Sequence, residues 1–138
     1  PYPHAVRVGD FVFVSGMGPR QRGKGNEDIP GVFFNENGRV VSHCIKTQTR
    51  ATIENIKSVL EEAGSCLEEV VDVTCFLTDM EGDFSKFNEI YGEYFESIGP
   101  ARTTIEVNRL PTKIAVELKV IAYSPQKNPK KGSDCGKG

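Results

Sequence analysis

The sequence lacks the ingredients of several large functional classes. No apolar run approaches the ~20 residues that span a bilayer, so no segment reads as membrane-crossing. Positive charge is not in excess: 17 Lys and Arg against 19 Asp and Glu leave a net charge of −2. That balance withholds the field that draws proteins onto nucleic acid or anionic lipid. Histidine is scarce, with only His4 and His43, and the four cysteines (Cys44, Cys66, Cys75, Cys135) include no C-x-x-C pair. No metal site is expected from such a set. One of these thiols falls in an apolar strand pattern and another in a polar tail, a usage that fits a reducing compartment better than a disulfide framework, so the expected location is cytoplasmic. Gly16-Met17-Gly18-Pro19 has neither the G-x-G-x-x-G nor the Walker spacing, and Pro19 removes a donor N–H, so nucleotide phosphates find no cradle there.

What remains is ordinary folding material. A chain of 138 residues, 38% hydrophobic and 26% charged, suits one domain with a core of its own. Residues 6–8 and 11–15 are β-rich around Gly9-Asp10, an opening hairpin, and a Gly-, Pro- and charge-dense loop follows over 16–31. Arg20, Arg22 and Lys24 in that loop are offset by Glu27 and Asp28, so a solvated loop is favoured over an anion patch. Asn37-Gly38 reads as the turn of a second hairpin between Phe33-Phe34 and Val40-Val41.

From Ser42 the period changes. Ile45, Thr49, Thr52, Ile53, Ile56, Val59, Leu60 and Ala63 recur at three and four, and Gly64 follows, which predicts a helix over about 43–63. Val71, Val73, Cys75 and Leu77 alternate as a strand. Asp83 is the expected cap of a second helix carrying Phe84, Phe87, Tyr91 and Tyr94 as a core stripe. Strands at about 102–108 and 115–123 follow, joined through Leu110-Pro111-Thr112. The order implies an α+β domain over 1–123, with two helices on one face of a largely antiparallel sheet. Residues 124–138 are almost free of apolar side chains and are expected to form a flexible tail.

Arg102 and Glu117 are the chemically interesting pair. Both lie equally far from a turn near Leu110, so an antiparallel hairpin would set them side by side. Spacing alone admits an exposed ion pair. It equally admits a carboxylate-gripping guanidinium beside a carboxylate that activates water.

Four separated stretches, PYPHAVRVGDFVFVSG (1–16), FNEIYGEYF (87–95), GPARTTIEV (99–107) and VELKVIAY (116–123), together resemble the RidA/YjgF family of enamine and imine deaminases. PHAVRVGDF, GPARTT and the lysine of VELKVIA look most like its 2-aminomuconate deaminase branch. The resemblance implies a chorismate-mutase-like fold, a homotrimer with active sites between subunits, a small carboxylate substrate, and neither metal nor organic cofactor. By motif it implies that Arg102 grips the substrate carboxylate and that Glu117 attends the attacking water. Tyr2, Gly16 and Asn88 match further ligand-facing positions. Thr104 stands where the family often has cysteine, Met17 where it often has glutamine, and Lys119 where it often has an acid. Thr104 therefore excludes a nucleophilic thiol at that point but is still expected among the residues that bind the substrate, and Lys119, with Arg20, is expected to bind a second carboxylate. The same resemblance admits a general 2-iminobutanoate/2-iminopropanoate deaminase, a ribonuclease or translation inhibitor, or a ligand-binding trimer. The negative charge and the lack of a histidine pair or an aromatic and basic stripe argue against nucleic acid.

Overall fold

In the computed structural model, which describes residues 3–125, two helices cover one face of a five-stranded sheet and leave the other face bare. The elements run β1 (Ala5–Val8), β2 (Phe11–Val14), β3 (Val32–Phe34), β4 (Val40–His43), α1 (Ile45–Glu62), a 3₁₀ turn (Leu67–Glu69), β5 (Val70–Leu77), α2 (Met80–Phe95), β6 (Ala101–Glu106) and β7 (Val116–Tyr123). The main sheet has the order β1-β2-β7-β5-β6, and β3–β4 form a separate ribbon. All neighbours in the main sheet are antiparallel except β5 and β6. The α+β architecture is the one expected from the sequence. Tyr2 and the greater part of the expected tail, residues 126–138, lie outside the described residues.

Alternation builds the core. Val12, Val14, Val73, Cys75, Leu77, Val116, Leu118, Val120 and Ala122 project to the helix side and are fully buried. They pack against Ile53, Ile56 and Leu60 of α1 and Phe87, Tyr91 and Phe95 of α2. Burying such side chains contributes roughly 1.5–3 kcal/mol each before entropy is charged against it. Thr49 and Thr52 sit on the same face of α1 because each hydroxyl donates back to the carbonyl four residues earlier, which satisfies it inside the helix.

Two expectations fail. Asp79, not Asp83, caps α2, accepting from the Gly82 N–H at 3.1 Å. Asp83 lies one turn inside, where its carboxylate meets His43 Nε2 at 2.9 Å. The sequence offers two aspartates four residues apart, and the first captures the orphan N–H groups. The second failure matters more. The segments carrying Arg102 and Glu117 do not pair with each other, because β5 lies between them. The α2 crossover carries the chain back to the starting end of β5, so β6 must add parallel to β5 at the sheet edge. The antiparallel partner of β7 on that side is β5. Of the described cysteines, Cys44 and Cys75 carry free thiols while Cys66 is disulfide-bonded, which departs from the expected unpaired usage. No helix among the described residues is long and apolar enough to cross a membrane.

Gln48 ties the loops to the core. Fully buried, it donates to the Gly31 carbonyl at 3.1 Å and accepts from the Ala115 N–H at 2.8 Å. Gly31, with φ of +76°, has room for no Cβ, which would lie 2.7 Å from the Cys44 carbonyl oxygen. Gln48→Ala leaves the buried Ala115 N–H without its partner and takes one of two donors from the Gly31 carbonyl, which keeps the Cys44 N–H at 2.8 Å. Urea unfolding should show a loss of about 1–3 kcal/mol with an unchanged m value.

Candidate functional site

Arg102 stands on the edge strand β6, level with Val73 of β5. Residues level across paired strands share a face, and Val73 is fully buried on the helix side, so Arg102 also starts toward the helices. There it finds α2. Its guanidinium lies 4.7 Å from the Tyr91 ring centroid, with Phe84 and Phe87 at 5.8 and 6.0 Å. Nη1 donates to Asn88 Oδ1 at 2.8 Å. The aromatic stripe read from the sequence as core packing is thus also the bed of the arginine. Its cue was Asn88, which lies one residue after Phe87 on the same helix. None of the ion pairs among the described residues involves Arg102. An aromatic face and a neutral amide hold the guanidinium, and both leave its charge available to an incoming carboxylate.

Thr104 follows two residues on, on the same face, opposite Cys75. Burial pushes the Cys75 thiol up to about 11, with the Arg102 charge and the Thr104 hydroxyl opposing the rise. At neutral pH Cys75 is therefore a thiol, poorly suited to nucleophilic attack.

Glu117 faces the other way. Its neighbours Val116 and Leu118 are fully buried among the helices, so the pleat turns Glu117 to the bare side, level with Phe76. Partial burial raises its pKa above the ordinary glutamate value. Gly16 explains how the carboxylate is seated: a Cβ built there would lie 2.6 Å from Glu117 Oε2, so only glycine lets the backbone approach. Lys119 shares the bare face with Glu117 and donates to the Val14 carbonyl at 3.2 Å. Arg20 is elsewhere. Its loop is strapped to α1 by Asn55, which donates to the Gly18 and Arg20 carbonyls at 2.9 Å, and its guanidinium bonds Asn26.

The expected residues therefore form two groups. Arg102, Asn88 and Thr104 cluster at the sheet edge under α2, while Glu117, Gly16 and Lys119 cluster on the bare face. Val73 and Phe76, the β5 residues level with Arg102 and Glu117, are three apart and so point to opposite faces. Within one chain Arg102 and Glu117 cannot share a small ligand. Gly16→Ala tests how the carboxylate is seated. The clash is with the end of a flexible side chain and Gly16 needs no positive φ, so the fold should survive while Glu117 swings into water. In a carbon-13 NMR titration the Glu117 pKa should fall toward the ordinary value of about 4.3. An unchanged titration would mean that Gly16 does not seat the carboxylate.

Comparison with known proteins places this geometry. The family model described as endoribonuclease L-PSP matches residues 1–124. A RutC family protein of Pyrococcus abyssi is 45% identical over 123 residues, covering 89% of this chain and 86% of that one. Among solved structures, YyfA of Yersinia pestis, from the Rid protein family, superposes with a TM-score of 0.70 at 34% identity, covering 89% of this chain and 87% of that one. TdcF of E. coli, solved with bound serine, gives a TM-score of 0.70 at 28% identity with the same coverage of both chains. With the fold, the motifs and a match over residues 1–124 in agreement, the chain belongs to the endoribonuclease L-PSP family, the RidA/YjgF family that also holds the RutC proteins.

Proposed function

We propose that this protein is a hydrolase of the enamine/imine deaminase type. In this reading Arg102 grips the carboxylate of a small substrate, and Glu117 of a neighbouring copy handles the attacking water. The observation that carries it is a guanidinium bedded on aromatic rings with no carboxylate partner among the described residues, while Glu117, the residue expected to attend the water, faces the opposite side of the sheet. TdcF was solved with serine, a small amino acid whose carboxylate such a guanidinium would bind.

The bare face supplies the reason for a second copy. Val6, Val8, Phe11, Phe13, Ile105 and Tyr123 are each 38–61% exposed there, and Phe11 packs on Tyr123 with ring centroids 5.3 Å apart. An apolar sheet face of this extent is normally covered by another protein surface. A cyclic homotrimer would cover it three times and bring Arg102 of one subunit toward Glu117 of the next, making three equivalent sites.

The chemistry needs little else. Once the imine nitrogen is protonated its carbon is electrophilic, and fixing the substrate by its carboxylate aims that carbon at water. Glu117, with its raised proton affinity, accepts a proton as the water oxygen bonds to carbon. The resulting carbinolamine transfers a proton to nitrogen and expels ammonia, leaving a keto or enol acid. Lys119 puts positive charge on the Glu117 face, which suits a dicarboxylic substrate and favours 2-aminomuconate over 2-iminobutanoate. Arg20, strapped to α1, would join Lys119 only from a neighbouring subunit.

Ammonia release from freshly generated 2-aminomuconate and 2-iminobutanoate tests this reading. Arg102→Ala should cost about 100-fold or more in kcat/KM, the worth of a paired charge-assisted contact. Lys119→Glu should move preference toward the monocarboxylic substrate. An unchanged preference would remove 2-aminomuconate from the proposal, and arginine-independent turnover would remove the clamp. Sedimentation should give three copies per particle, and a monomer would remove the shared site.

A further inference from the structure

Two side-chain hydroxyls beneath Arg102 are left without partners. Tyr91 Oη and Thr104 Oγ1 are buried, and neither has a hydrogen-bond partner among the described residues. The pattern elsewhere is satisfaction: the buried side chains of Gln48, Thr49 and Thr52 are all bonded. Both unpaired hydroxyls belong to one locality. Thr104 is two residues beyond Arg102 on the same face of β6 and level with Cys75. Tyr91 lies under the Arg102 guanidinium and packs on Phe87 and Phe95. The one group the Thr104 hydroxyl approaches is the Cys75 sulfur, which it would bond as a thiolate; a protonated thiol is only a weak acceptor, and the hydroxyl meets no partner in hydrogen-bond geometry.

An unmet buried hydroxyl costs stability, and native chains keep few of them. Two beside the same arginine, which has no carboxylate partner among the described residues, point to groups that are completed by a ligand. Burial holds the Tyr91 phenol protonated, pushed up to about 12, so it enters any such contact as a neutral donor. Threonine adds a second hydroxyl that can donate. The guanidinium lies over the Tyr91 ring, on a long side chain of an exposed residue. Turning it toward a carboxylate would open the approach to what lies beneath.

We propose that Tyr91 and Thr104 form a recognition subsite for an uncharged hydrogen-bond acceptor on the substrate, a carbonyl, enol or imine group carried next to the carboxylate that Arg102 holds. This rests on the reading of Arg102 as a carboxylate clamp. Tyr91 is then a specificity determinant as well as a core residue. The subsite ranks ligands: a carboxylate with a neighbouring acceptor satisfies both hydroxyls, and a plain carboxylate leaves them buried and unpaired.

The test compares two probes, 2-oxobutanoate and butanoate, which share the carboxylate and differ in the keto oxygen. Calorimetric titration of the wild-type protein should show about tenfold tighter binding of 2-oxobutanoate, the worth of one or two neutral hydrogen bonds. Tyr91→Phe and Thr104→Val, which keep shape and remove only the hydroxyls, should each erode that ratio and leave butanoate binding unchanged. Each should also raise the ligand-free Tm by a few degrees, because an unpaired buried hydroxyl has gone. A ligand-free Tm that falls in Tyr91→Phe would mean that the hydroxyl is already satisfied, and the proposal fails. An undiminished ratio in both variants also overturns it. Arg102→Ala separates the two readings. Loss of both probes supports the clamp whatever Tyr91 does, and full retention of butanoate binding removes the clamp and the subsite together.

Discussion

Everything at the candidate site follows from how β5 is paired. It is the one strand bonded in parallel on one side, to β6, and antiparallel on the other, to β7. Its alternation of buried and half-exposed residues therefore dictates the facing of both neighbours. Arg102 inherits the helix side from Val73, and Glu117 inherits the bare side from Phe76. A one-residue slip of either ladder would reverse a facing. For β7 the slip is opposed by Val116, Leu118, Val120 and Ala122, which would have to exchange the core for solvent.

The two faces differ physically in ways that suit different tasks. Under α2, Arg102 is held by aromatic rings and by Asn88, in surroundings rigid enough to orient a planar guanidinium. On the bare face Glu117 is partly desolvated and seated against the Gly16 backbone, so it is a stronger base than an ordinary glutamate. Neither arrangement is complete. The first holds a cation without an anion, the second a carboxylate amid exposed aromatic and β-branched residues that a monomer would keep in water. In the proposed assembly, association of copies through the bare face would resolve both at once.

Much of this was legible in the sequence. The 3.6-residue period of Ile45 to Leu60 and the two-residue period of Val73 to Leu77 gave the helix and the strand, because burial enforces those periods. Arg102 and Glu117 stood out by residue type and by motif. Their mutual arrangement did not. Two strands linked by a short apolar-to-turn segment look like a hairpin, and nothing local reveals that an earlier strand will slot between them. That is a long-range pairing, decided by the α2 crossover. The cap of α2 was misplaced by one turn for a local reason: Asp79, four residues before the expected Asp83, meets the first free N–H groups of the helix. Tyr91 was read as core, which it is. Its second aspect depends on an unpaired hydroxyl, and hydrogen-bond satisfaction has no signature in residue spacing.

The shared site is tested most directly by subunit complementation. Arg102→Ala and Glu117→Gln chains would each be purified alone and then coexpressed and purified as mixed particles, with ammonia release measured in all three. If each site takes Arg102 from one subunit and Glu117 from another, both single variants are nearly inactive. Random mixing then restores about a quarter of the sites, since only interfaces that join the two intact residues function. If both residues served one site within a chain, no mixture could contain an intact site. Mixed particles as inactive as their parents would then contradict the division of the site between copies.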